Sequence, residues 1–159
     1  MIEDLDLSFH VQRSKTIDAL GDMETALREL LARNGVNLAG ETLGQQVEKA
    51  RGLKAGPMLS KALFAKLGPL LDRAETIVAL RNDIVHSRMH GMHGEKVRMA
   101  CFIHTQPRGR YGSHARVLTL AEFEGFTREV RKIAGEFRSL KINPASSPRL
   151  PEPGGAGDP

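Results

Sequence analysis

The chain has no tryptophan, a single tyrosine and six phenylalanines, so aromatic residues fill only 4% of its 159 positions. Leu, Ile, Val, Met and Ala must then supply most of the buried surface, which favours helices over a sandwich or barrel. The lone Cys101 has no partner for a disulfide within the chain. No stretch approaches the roughly 20 apolar residues needed to cross a bilayer. The opening Met1-Ile2-Glu3-Asp4-Leu5-Asp6 has neither the basic flank nor the apolar run of a secretory signal. These absences lead to the expectation of a reducing, cytoplasmic setting with no membrane association. A strong excess of one charge is missing as well, since the formal net charge is +4. The last seventeen residues hold Arg149 against Glu152 and Asp158, so the rest carries about +5, which suits an anionic partner such as RNA without requiring one.

What is present fits one globular domain: 40% of residues are hydrophobic and 26% charged. The domain is expected over residues 1–142. Residues 143–159 hold five of the eight prolines and almost no large apolar side chain, and are expected to form a disordered tail. No internal repeat is visible.

Apolar residues at Ile17, Leu20, Leu27, Leu30 and Leu31 have helical spacing and predict a first helix from about Ser14 to Arg33, stopped by Asn34-Gly35. Thr42 and Gln45 have the form of a capping box and predict a short second helix to about Leu53. From Met58 the chain reads as helix again, with Gly68-Pro69 expected to kink or restart it. Beyond, Leu70, Ala74, Ile77, Arg81 and Ile84 share one stripe, placing an arginine in an apolar row. The period then changes to two. Val97, Met99, Cys101 and Ile103 alternate with Arg98, Ala100, Phe102 and His104, and 115–118 reads as a returning strand, giving a β-hairpin over about 96–118 with Cys101 on its core face. Thr119 and Glu122 form another capping box before Phe123, Phe126, Val130, Ile133, Phe137 and Leu140, which predict a strongly amphipathic last helix. The expected fold is mainly α, a bundle of four or five helices with a β-hairpin inserted before the last.

Arg81 is the residue that calls for an explanation. A guanidinium on an apolar stripe costs several kcal/mol unless it is paired, sits at an interface or lines a polar cleft. At about 100° per residue, Asn82 lies about 100° and His86 about 140° round the helix from it. Asn82 and His86 are themselves i, i+4 neighbours. One helix can thus present an anion-binding fork, an amide and a titratable imidazole together. These groups suit phosphodiester chemistry in RNA: the imidazole takes the proton of a ribose 2′-hydroxyl while the guanidinium stabilises charge on the phosphate, without a metal ion or cofactor. The plainer alternative pairs Arg81 with an acid of the first helix, Asp18, Asp22 or Glu24, and leaves His86 at a helix end.

Arg81-Asn82-Asp83-Ile84-Val85-His86 resembles the hallmark of the HEPN superfamily, Arg-Asn-x-x-x-His, here closing a long apolar helix with a further amphipathic helix after it. The likeness spans about Ser14 to Lys141. It implies a HEPN-like bundle that dimerises with two motif helices meeting, so that paired Arg and His side chains line one cleft. In active members that cleft is a metal-independent endoribonuclease site. The resemblance then implies that Arg81 binds the scissile phosphate, His86 acts as general acid or base and Asn82 positions them, in RNA processing, stress or defence. Other HEPN domains are inactive and bind a nucleotide, RNA or a regulatory protein partner. The chain departs from the toxin members of toxin–antitoxin pairs, which carry a Tyr two residues after the His; here Ser87-Arg88 follows.

Two neighbouring features compete. His86, His90 and His93 would align as a metal site only on an unbroken helix, which Gly91 opposes. Arg88, and along the hairpin Arg98, Arg108, Arg110 and Arg116 with Tyr111 or Phe102 for stacking, are candidate RNA contacts; the hairpin is otherwise a solvated basic edge that discourages strand aggregation.

Overall fold

The computed structural model describes residues 7–93, 97–103 and 115–140. The chain runs α1 (Leu7–Arg33), α2 (Leu43–Arg51), α3 (Lys61–His86), β1 (Arg88–His93), β2 (Arg98–Ile103), β3 (Ala115–Thr119) and α4 (Leu120–Ser139). It is mainly helical, with a small antiparallel sheet of order β1-β2-β3 before the last helix. The proposed tail, 143–159, lies outside the described residues. No helix among the described residues is long and apolar enough to cross a membrane.

α1 starts a full two turns earlier than its apolar spacing predicts. Its buried face begins with Phe9, Gln12 and Thr16, and the two polar members hide that face from a hydrophobicity pattern. They are satisfied across the α1–α4 interface: Gln12 Nε2 donates to Thr127 Oγ1 at 2.6 Å, and the Thr16 and Thr127 hydroxyls lie 2.7 Å apart. Ile17, expected in the core, is instead 41% exposed. The Asn34-Gly35 stop is a Schellman turn, with Val36 N–H donating to Leu31 O, Gly35 N–H donating to Ala32 O, and Gly35 at φ 75°.

Both capping boxes form, at Thr42 with Gln45 and at Thr119 with Glu122. The Glu122 carboxyl is held below its ordinary pKa of 4.5, first by the Thr119 backbone N–H and then by its hydroxyl. Such a group stabilises the fold fully above its unfolded pKa and ceases to as pH falls through the lowered folded value. Glu122→Gln keeps an acceptor at the cap and removes the titration. Urea midpoints followed from about pH 6 to about pH 3 should therefore fall less steeply below about pH 4.5 in the variant than in the wild type.

α3 runs as one helix from the Ser60 cap through Pro69 to His86, so Gly68-Pro69 does not restart it. Pro69 deprives the Ala65 carbonyl of its helical partner. Ala65, Gly68 and Pro69 are all exposed, so water can take the missing donor's place. Arg73 fastens α3 to α4, donating from Nε to Glu129 at 2.8 Å and from Nη1 to both oxygens of Glu136 at 2.9 Å.

Two apolar clusters hold the elements together. The larger joins all four helices around Met23, Leu27, Leu31, Leu71, Ile133 and Phe137. The smaller, Phe9, Ile84, Ala100, Phe102 and Phe123, seals the end of the bundle where α3 meets the sheet. Phe102 and Phe123 pack edge to face with ring centroids 5.5 Å apart.

The sheet departs from the expected hairpin in two ways. Arg88–His93, where no strand was expected, forms a third strand paired to β2, with Met89 opposite Phe102 and Gly91 opposite Ala100. The core face is also reversed. Ala100 and Phe102 pack on the helices, while Met99, Cys101 and Ile103 alternate to the other side. Val97 is 49% exposed, yet Cys101 is buried. The alternation is correctly visible in sequence; which set faces inward is decided by Phe102 finding Phe123, twenty-one residues away.

Candidate functional site

The motif occupies the last turns of α3, and both clusters fix that segment. Ile84 is fully buried in the smaller cluster, while Val85 packs on the larger. His86 and Asn82 are exposed and Arg81 is half-buried. Arg81 therefore lies at the border of the apolar stripe rather than inside it. The charged residue that the motif buries is Asp83, 6% exposed.

Arg81 Nη1 donates to Asn82 Oδ1 at 3.2 Å and lies 3.3 Å from His86 Nε2. A guanidinium has no acceptor, so in this contact Nε2 accepts and the neutral imidazole carries its proton on Nδ1. The two Nη1 hydrogens are thereby used. The Nε–Nη2 edge, whose paired N–H groups match a carboxylate or phosphate, meets no partner among the described residues. Arg81 thus pairs with its own motif neighbours rather than with Asp18, Asp22 or Glu24. The arrangement offers an anion-binding edge beside an exposed imidazole, with Asn82 steering the guanidinium between them.

No family model, curated protein or solved structure matches this chain. The site is accordingly read from its own geometry.

The candidate RNA-contacting arginines do not converge. Strand alternation puts Arg88 on the sheet face away from the helices, while Arg98 and Arg116 fall on the helix-facing side. Arg88 and Arg98 are exposed. Arg116 turns to the motif instead, with Nε donating to Asp83 Oδ2 at 2.6 Å. Arg108, Arg110 and Tyr111 lie outside the described residues. Phe102, a candidate for stacking, is wholly buried and has no face to offer a base.

The helix also ends too early for the His86, His90, His93 alignment. α3 stops at His86 and β1 follows, so the three residues do not share a helical face. No group of three or more His, Cys, Asp or Glu that could hold a metal ion occurs among the described residues.

The supports missed by sequence reasoning are the distant ones. Asp83 pairs with Arg116 from β3, and Arg13 of α1 donates to backbone carbonyls at the end of α3. Removing Arg116 strips a partner from a carboxylate whose side chain is only 9% exposed. Arg116→Ala should destabilise the fold by about 2 kcal/mol, below the range for a fully buried pair because the guanidinium is partly solvated. Chemical denaturation checks this, and a loss below about 0.5 kcal/mol would mean that the pair is a surface contact of little consequence.

Proposed function

We propose that this chain is a HEPN-like, metal-independent endoribonuclease that works as a homodimer in the cytoplasm, in RNA processing, stress response or defence. Arg81 binds the scissile phosphate through its open Nε–Nη2 edge. His86 exchanges protons with the ribose 2′-hydroxyl and the leaving oxygen, and Asn82 orients Arg81. The observation that carries this reading is the 3.3 Å approach of Arg81 Nη1 to His86 Nε2 at an accessible helix end. It puts an imidazole nitrogen with an acceptor lone pair beside a cation, and Arg81 gives up that lone pair to the 2′-hydroxyl proton as its guanidinium turns to the phosphate.

A second reading, a catalytically silent HEPN-like module that binds RNA, a nucleotide or a regulatory protein, is favoured by one feature. Arg116, expected to help line an RNA path, is engaged with Asp83. The deciding experiment incubates the purified protein with structured and unstructured RNA, with and without EDTA. Cleavage that survives EDTA supports the ribonuclease; RNA retention without cleavage supports the binding module. Activity that disappears with EDTA and returns with added metal would refute a metal-independent mechanism.

A further inference from the structure

Arg13 stands outside the motif, in α1, and its guanidinium crosses to the C-terminal end of α3. Nε donates to Ile84 O at 3.1 Å, and Nη2 donates to Ser87 O at 3.0 Å and to Val85 O at 3.4 Å. The last carbonyls of a helix have no helical partner, and a cation there also meets the negative end of the helix dipole. In α3 the Asp83 carbonyl is taken by Ser87 N–H at 3.2 Å. Arg13 takes those of Ile84 and Val85, and then that of Ser87 beyond the helix. Two of its acceptors precede His86 and one follows.

We propose that Arg13 is the positioning residue of the Arg81–His86 site, holding the backbone before and after His86 so that Nε2 stays turned toward Arg81. A planar fork reaching three carbonyls can hold this orientation, whereas a single point charge cannot. Without it, the imidazole would be attached to an end turn whose carbonyls turn to water, and exposed helix ends fray. The catalytic consequence rests on the ribonuclease reading; the positioning itself does not.

The test reads the His86 ring nitrogens by NMR in 15N-labelled protein, above the imidazole's titration, beside RNA cleavage. In the wild type the Nδ1–H form of His86 should dominate, because Nε2 accepts from Arg81. Arg13→Met keeps the aliphatic stem and removes the donors. In that variant His86 should revert to the Nε2–H majority of a free imidazole, while amide signals of α1, α2 and α4 keep their positions. Cleavage should lose about tenfold or more in kcat with KM nearly unchanged. Arg13→Lys should fall between the two. If Arg13→Met folds and leaves the His86 nitrogens as they are in the wild type, the proposal is overturned; a wild type dominated by Nε2–H overturns it as well. Should Arg13→Met fail to fold, Arg13→Lys, which keeps the charge, decides by the same signal. A wild type that leaves RNA intact, combined with a tautomer shift in Arg13→Met, would remove the ribonuclease reading and keep the positioning role.

Discussion

On the proposed ribonuclease reading, Arg81→Ala and His86→Ala should each abolish most RNA cleavage while leaving the fold in place. For His86 the expected loss in kcat is about 10²- to 10⁴-fold, the usual contribution of a positioned acid or base. For Arg81 it is about 10²- to 10³-fold, the usual cost of removing a donor aimed at developing charge. Arg81→Lys should recover little, since an ammonium cannot supply the paired Nε and Nη2 hydrogens. Because Arg81 is half-buried and His86 exposed, neither change opens a cavity, and stability should move by about 0.5 kcal/mol or less for His86. Gel assays of a labelled RNA in EDTA, paired with thermal unfolding, separate the two effects. Full activity in either variant would place the chemistry elsewhere.

The largest effect on stability is expected from Phe102→Ala. Its side chain is completely buried, packs edge to face on Phe123 and sits in the cluster that contains Ile84. Truncation should cost about 3–5 kcal/mol, a large share of the roughly 5–15 kcal/mol by which a domain is stable. Val97→Ala is the contrast: at 49% exposure the change should stay within about 0.5 kcal/mol. Urea unfolding of both tests the face assignment of β2 directly. If Phe102→Ala proved mild and Val97→Ala severe, the alternate face would be the inner one. Since Ile84 shares the cluster, Phe102→Ala should also blunt cleavage beyond its effect on the folded fraction.

The parts that were legible in sequence are those written in local chemistry. Thr42 with Gln45 and Thr119 with Glu122 are three residues apart and state their helix starts outright. The last helix shows its apolar row because nearly every member of that row is hydrophobic. The motif was legible for the same reason, since Arg81, Asn82 and His86 lie within six residues of one helix. What stayed hidden depends on distant partners. The early start of α1 is masked by Gln12 and Thr16, polar residues buried only because Thr127, more than 110 positions away, answers them. β1 looks like a loop until β2 lies beside it. The inner face of β2 is fixed by Phe123, and the clamp on the motif comes from Arg13, 71 residues before Ile84. Pro69 misleads in the opposite direction, because an exposed stretch of helix tolerates a gap that a packed one would not.

The joints on either side of the sheet have no slack. Ser87 alone separates α3 from β1, and Thr119 closes β3 while capping α4. The three strands are therefore geared to both helices, and a load applied to the sheet reaches His86 within two peptide units. The end of α3 and the first strand thus share one rigid joint, a single residue long, with no loop in between.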